Sequence, residues 1–174
     1  NWEMAFEQEL RSIAENMEII ESSFSDPYGY FDEAIQIKFK YRIPDFATVT
    51  KEEIIFTPVV ASNIFKGAQA HLYTSTDLKE RKYDFRDRCS RDIKLKETIT
   101  LPSTKEIIYV PENEKLDGSA ASFNGKYELL DNNLVLQENI VIKKRLFEAN
   151  EWENYSSVIK AQQKFANEKV ILSR

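Results

Sequence analysis

Histidine and cysteine are almost absent from the 174 residues: His71 and Cys89 are the single examples. One cysteine excludes an internal disulfide and leaves the redox compartment unmarked. One histidine excludes any metal site or acid–base pair that needs two histidines from this chain. Glycine is scarce too, limited to Gly29, Gly67, Gly118 and Gly125, and neither G-x-G-x-x-G nor G-x-x-x-x-G-K occurs. A glycine-rich phosphate loop is thereby excluded. Positive charge is not in excess, since 24 Lys and Arg face 29 Asp and Glu for a net charge of −5. No basic cluster offsets this, so nucleic acid is not an expected partner. Long apolar runs are missing, so no membrane span is expected. The sequence opens at Asn1 without methionine, signal peptide or basic leader, which suggests a processed or trimmed chain.

What is present is ordinary globular material, with 42% hydrophobic and 30% charged residues. A chain of this length buries roughly 70% of its unfolded surface and needs no staples. It fits one large domain or a domain with an appendage. Residues 2–17 carry a helical stripe of Trp2, Phe6, Leu10, Ile13 and Met17. Ile19-Ile20 opens a short strand, and Ser25 to Gly29 is turn chemistry. Ile35, Ile37, Phe39, Tyr41 and Ile43 then alternate with Gln36, Lys38, Lys40 and Arg42, the period of a half-buried antiparallel strand. The three cations on its wet face are either a binding stripe or edge-strand protection.

Further strands are expected over Glu53–Thr57, at Ala70 to Tyr73, over Ile93–Leu101 and over Ile107–Val110, with a loop from Leu116 to Ser122. The closing stretch is the most consistent. Lys126–Leu130 and Leu134–Gln137 predict a hairpin turned by Asp131-Asn132-Asn133, because Asp and Asn tolerate positive φ. An unbroken strand from Leu134 to Leu146 would run about 40 Å, so a bend or bulge is expected near Glu138-Asn139. Asn150 reads as an N-cap completed by Glu153, with Trp152, Tyr155, Ile159, Gln162 and Phe165 as the buried stripe of a helix ending near Asn167. Val170-Ile171-Leu172 returns as a strand. The architecture that follows is mainly β: an antiparallel, β-sandwich-like domain over residues 18–174 with an N-terminal helix over residues 1–17 and a second helix near the C-terminus.

Candidate chemistry is sparse. Glu97 and Glu138 each interrupt an apolar strand face. On neighbouring strands they would form a carboxylate pair of the kind used in glycoside hydrolysis. Otherwise each marks a bulge or sheet end where a carboxylate reaches solvent. Arg81 to Asp92 alternates charge, which suits internal ion pairs better than an anion site because Asp84, Asp87 and Asp92 neutralise the arginines. Tyr83 and Phe85 within it are expected to point inward. Cys89 has no visible base to activate it, and His71 alternates out of phase with Ala70 and Leu72 towards water. Asn154-Tyr155-Ser156 matches a glycosylation triplet, but inside a helix it is incidental. No catalytic, cofactor or metal residue is assigned.

The order of these pieces resembles the C-terminal domain of unknown function that follows the transglutaminase-like domain in large bacterial envelope proteins. Arg81 to Phe85 resembles that family's basic-aromatic strand, and Ile99-Thr100-Leu101-Pro102 its strand-ending Leu-Pro. Tyr109-Val110-Pro111-Glu112 is similar to its next strand, and Tyr155, Phe165 and Val170-Ile171-Leu172 to its closing helix and strand. The resemblance spans residues 16–174. It implies a non-catalytic accessory domain, periplasmic or in the cell envelope, whose catalytic Cys, His and Asp lie upstream. Its partner would be the catalytic domain of the same polypeptide or an envelope protein, joined through the helix of residues 1–17. The alternative is a free-standing glycan- or peptide-binding β-sandwich that exposes Tyr28, Tyr30 and Tyr73.

Overall fold

The computed structural model describes residues 2–29, 31–62 and 76–174. The strand expected at Ala70 to Tyr73, with His71, Tyr73 and Tyr30, lies outside these residues. The chain divides into two compact units, residues 1–46 and 47–174.

In the first unit, helix α1 (Trp2–Arg11) buries Phe6 and Leu10, one turn apart on the same stripe. Strand β1 (Glu18–Phe24) pairs antiparallel with β2 (Ile37–Arg42), with a register shift between Ile19 and Glu21. The Phe6 ring packs edge-on against Phe24 at 6.2 Å and Phe39 at 5.6 Å. The helix therefore packs with the hairpin, within the unit of residues 1–46. The register also sets Glu21 opposite Lys40 and Glu18 opposite Arg42. Two of the three cations of β2 thus face acids across the strand pair, an arrangement worth about 0.2–1 kcal/mol per pair, while Lys38 faces Ser23.

The second unit holds two four-stranded antiparallel sheets. One has the order β6 (Arg91–Thr100), β10 (Asn133–Ile142), β9 (Ala121–Leu130), β8 (Glu114–Asp117). The other runs β3 (Thr48–Val49), β4 (Glu53–Phe56), β12 (Val170–Ser173), β7 (Ile107–Tyr109). A short helix α2 (Val59–Ser62) follows β4, and β5 (Phe85–Arg86) pairs with β11 (Leu146–Phe147). Helix α3 (Trp152–Asn167) packs on β9 and β8. Both sheets and α3 feed one buried cluster, from Phe123, Leu136 and Ile140 through Tyr155, Ile159 and Phe165 to Val170 and Leu172. The fold is mainly β and antiparallel, sandwich-like in its two sheets, with a helix near each end of the chain.

Several boundaries differ from the sequence expectation for physical reasons. Leu116 and Asp117, expected at the start of a loop, instead close the edge strand Glu114–Asp117, which needs only Leu116 to face the core. β10 is regular throughout, with no bulge near Glu138 in either ladder. It stops instead at Ile142, where the Lys143 amide turns to the Ala120 carbonyl at 2.9 Å. Asp131 supplies the positive φ of 52° that the β9–β10 turn requires. The cap before α3 also moves forward. Residues Ala149–Glu151 form a 3-10 turn, and the Glu148 amide donates to Glu151 Oε2 at 2.9 Å, so Asn150 caps nothing. Tyr83 points outward, 83% exposed, because it precedes the two-residue strand Phe85–Arg86 and no ladder sets the side it faces.

Candidate functional site

Alternation along β6, β9 and β10 sends one row of side chains into the core beneath α3. Glu97 stands opposite Leu136, and Glu138 opposite Leu95. The two glutamates are therefore diagonal neighbours on the same inner face of adjacent strands, within reach of one another. On the other side of β10, Tyr127 is level with Leu136 and Gly125 with Glu138. Gly125 is required there. A Cβ at that position would come 2.8 Å from Phe165 Cζ and 2.9 Å from Phe123 Cζ.

Both carboxyls are buried, Glu97 at 5% and Glu138 at 3% exposure. This corrects the expectation that each marks a bulge or a sheet end reaching solvent. They sit mid-ladder in regular strands. Glu97 Oε2 accepts the Val60 amide at 2.9 Å, which ties α2 to β6. Glu138 has no hydrogen bond to either oxygen, and the Tyr127 hydroxyl, 6% exposed, has none either. Burial pushes the Glu138 carboxyl up to about 8, and the charge of Glu97 adds to the push. The Tyr127 phenol is also pushed up, first by burial and then by Glu138 and Glu97. A buried carboxyl raised in this way, as Glu138 is, can hold a proton near neutrality. At these exposures neither carboxyl presents itself to a solvent-borne glycosidic bond.

A further buried carboxyl lies at the other end of α3. Asp87 is held by Arg91, whose Nη1 and Nη2 reach Oδ1 and Oδ2 at 3.2 Å each. The Tyr155 hydroxyl donates to Oδ2 at 2.7 Å, and the Arg88 amide to Oδ1 at 2.5 Å. Burial pushes this carboxyl up, but the bonds from Arg91, Tyr155 and the Arg88 amide outweigh it and hold it below its ordinary value. Arg81 lies 4.9 Å over the Phe85 ring and 4.7 Å over Trp152. The Arg81 to Asp92 segment thus wraps the start of α3 with internal ion pairing and cation–π contact.

Of the remaining sequence candidates, Cys89 is a free, exposed thiol. Asn154 Oδ1 accepts the amides of Ala120 at 2.9 Å and Ala121 at 3.0 Å, so its side chain serves the turn into β9. Tyr28 is 77% exposed, on the loop between β1 and β2. Sequence reasoning found Glu97 and Glu138 as polar breaks in apolar faces. It missed the role of Tyr127, although Tyr127 lies in phase with Phe123 on the inward face of the same strand. A shallow cavity of about 310 Å³ opens where β7 and β8 meet the end of α3, with Phe165 at one wall. Its rim mixes signs, Glu112, Glu114 and Glu168 against Lys115 and Lys164, and the Tyr109 hydroxyl donates to Glu168 at 3.0 Å. Among the described residues no three His, Cys, Asp or Glu side chains gather as a metal site. No helix among them is long and apolar enough to cross a membrane.

Residues 52–172 match a family model, DUF3858, described as a domain of unknown function with a solved structure. The match covers most of the chain, and the chain belongs to this family. Among solved structures, the fold is similar to the crystal structure of "a putative protease" from Parabacteroides distasonis ATCC 8503. The TM-score is 0.56 at 13% identity, over 72% of this chain and 24% of that one. The chain thus spans about a quarter of the length of that protein, and at this identity the likeness is one of fold. No curated protein matches the sequence.

Proposed function

We propose that residues 47–174 act as a non-catalytic accessory domain of a larger bacterial envelope protein, in the periplasm or at the cell envelope. It would position a transglutaminase-like or protease-like catalytic domain, or present that protein to an envelope partner. The observation that carries this reading is the fold match, in which a similar fold makes up 24% of a longer chain described as "a putative protease". The first unit supports it. Phe24, Ile35, Ile37 and Phe46 are exposed there, apolar side chains of the kind a docked domain would cover. On this reading the chemistry lies in the upstream domain, and the residues of this chain serve packing and docking.

The test is to read the gene upstream of the Asn1 codon. An in-frame domain carrying a Cys, a His and an export signal supports the proposal. A stop codon or an export signal directly before Asn1 overturns it and favours a free-standing binding protein. One observation favours that second reading, a glycan- or peptide-binding β-sandwich: Tyr28 and Phe31, 85% exposed, both stand out from the β1–β2 loop. Glycan and peptide arrays probed with wild type and Tyr28→Ala decide it.

A further inference from the structure

We propose that the loop end of the β1–β2 hairpin is a docking surface for a basic amphipathic protein segment, one with apolar side chains set between lysines or arginines. This deepens the accessory-domain reading and rests on it in taking the occupant to be protein. The apolar part comes from unequal cover along the hairpin. Phe24 stands opposite Ile37 and Ser22 opposite Phe39, so Phe24, Ile37 and Phe39 share one face. Helix α1 meets that face through Phe6. Phe39 and Tyr41 are half-buried, whereas Phe24 and Ile37 stay exposed. The bare end is held in shape. The Ser25 amide donates to the Gln36 carbonyl at 2.9 Å and the Gln36 amide to Ser25 Oγ at 2.9 Å, one pair beyond Phe24 and Ile37. Asp26 then turns the connection: its Oδ1 accepts the Tyr28 amide at 2.8 Å and its carbonyl the Gly29 amide at 3.1 Å. Tyr28, Phe31 and Ile35 are exposed on this connection. A surface already fixed in the free protein loses little ordering entropy when it is covered.

Charge identifies the occupant. Residues 1–46 hold ten Asp and Glu against four Lys and Arg, a side-chain net of −6, while residues 47–174 hold 19 against 20. The excess acid of the whole chain thus belongs to the first unit. Three of its four cations, Lys38, Lys40 and Arg42, alternate with Ile37, Phe39 and Tyr41 onto the opposite face of β2. Lys40 and Arg42 there face Glu21 and Glu18. The stretch from Ser25 to Gln36 carries Asp26, Asp32 and Glu33 and no cation. Among the described residues, the Asp32 and Glu33 side chains make no hydrogen bond or ion pair. Carboxylates beside exposed aromatic rings attract an ammonium or guanidinium twice over, through their charge and through the ring faces. The same charge turns away other occupants. A second copy would bring two surfaces of one sign together, and an anionic lipid surface would be repelled.

The experiment is an amide NMR titration of the full chain with an amphipathic Leu/Lys peptide. The matching Leu/Glu peptide and phosphatidylglycerol vesicles serve as comparisons. The Leu/Lys peptide should shift the amides of residues 24–37 and bind at least about tenfold more tightly than the Leu/Glu peptide. Asp32→Asn with Glu33→Gln should weaken it by about tenfold, as should Ile35→Ser. Glu52→Gln with Glu106→Gln, the same loss of charge in the second unit, should leave it unchanged. All five positions are exposed, so these variants should keep the wild-type spectrum away from the substitutions. Shifts centred outside residues 1–46 overturn the proposal. So does equal binding of the two peptides, tighter binding of the vesicles, or first-unit variants that bind as wild type does. Shifts at residues 24–37 that follow protein concentration without peptide also overturn it, because the occupant is then a second copy. A gene with no upstream domain removes the accessory-domain reading whatever the titration shows. A failed titration beside an in-frame upstream domain removes this surface alone.

Discussion

Asp87 and Glu138 are both buried carboxyls in one 128-residue unit, and they are solved in opposite ways. Asp87 accepts a bidentate guanidinium, a phenol and a backbone amide. Glu138 accepts nothing. Desolvation acts on both in the same direction, so the difference lies in the neighbours. Asp87 lies in an irregular segment where a loop, a helix and a strand supply donors. Glu138 lies mid-strand, where backbone amides are consumed by the two ladders and the facing residues are Leu95 and Gly125. A regular sheet interior is a poor host for a charge. A carboxyl found there is either neutral or a source of strain.

Removing a partner should separate the two most clearly. Asp87→Ala leaves the Arg91 guanidinium buried without its main acceptor, and urea unfolding at pH 7 should show a loss of about 3–5 kcal/mol. Glu138→Leu should do the reverse. It removes an uncompensated group and fills its space with apolar atoms, raising stability at pH 8 by about 3 kcal/mol. A Glu138→Leu protein less stable than wild type at that pH would break the comparison.

The pH profiles sharpen it. Asp87 has a depressed folded pKa, so its contribution is present above the ordinary value of 3.8 and is lost as pH falls through the folded value. Glu138 has a raised one, so stability is full below 4.5 and declines as pH rises to about 8. Wild-type stability should therefore fall on both sides of a mildly acidic optimum. Asp87→Asn should flatten the acid limb alone, and Glu138→Gln the alkaline limb alone.

Two smaller effects probe the packing around these sites. Gly125→Ala forces a methyl against the Phe165 and Phe123 rings and should cost about 1–3 kcal/mol, read by thermal unfolding. Asn154→Ala strands the Ala120 and Ala121 amides at the other end of β9 and should cost about 1–2 kcal/mol by the same measurement.

Much of this fold can be read in the residues themselves. The alternation of β9 and β10, the Asp131 turn and the aromatic stripe of α3 follow from period and turn chemistry, because each is local. Glu97 and Glu138 stand out for the same reason, as polar residues in apolar phase. Their adjacency does not show, since β6 reaches β10 across a long connection and pairing partners are a property of the whole sheet. Tyr83 is misplaced by periodicity because it lies outside the two-residue strand Phe85–Arg86, where no pairing dictates a side. The fully paired state of Asp87 is hidden for a related reason: Tyr155, one of its donors, is 68 residues further along the chain.

The measurement that tests the central contrast most directly is side-chain carboxyl 13C titration of Asp87 and Glu138 in one wild-type sample. The account predicts that Asp87 stays ionised to below its ordinary range while Glu138 titrates at about 8. Both carboxyls titrating together in the ordinary carboxylate range would contradict it, and would mean that water reaches Glu138 inside the sheet.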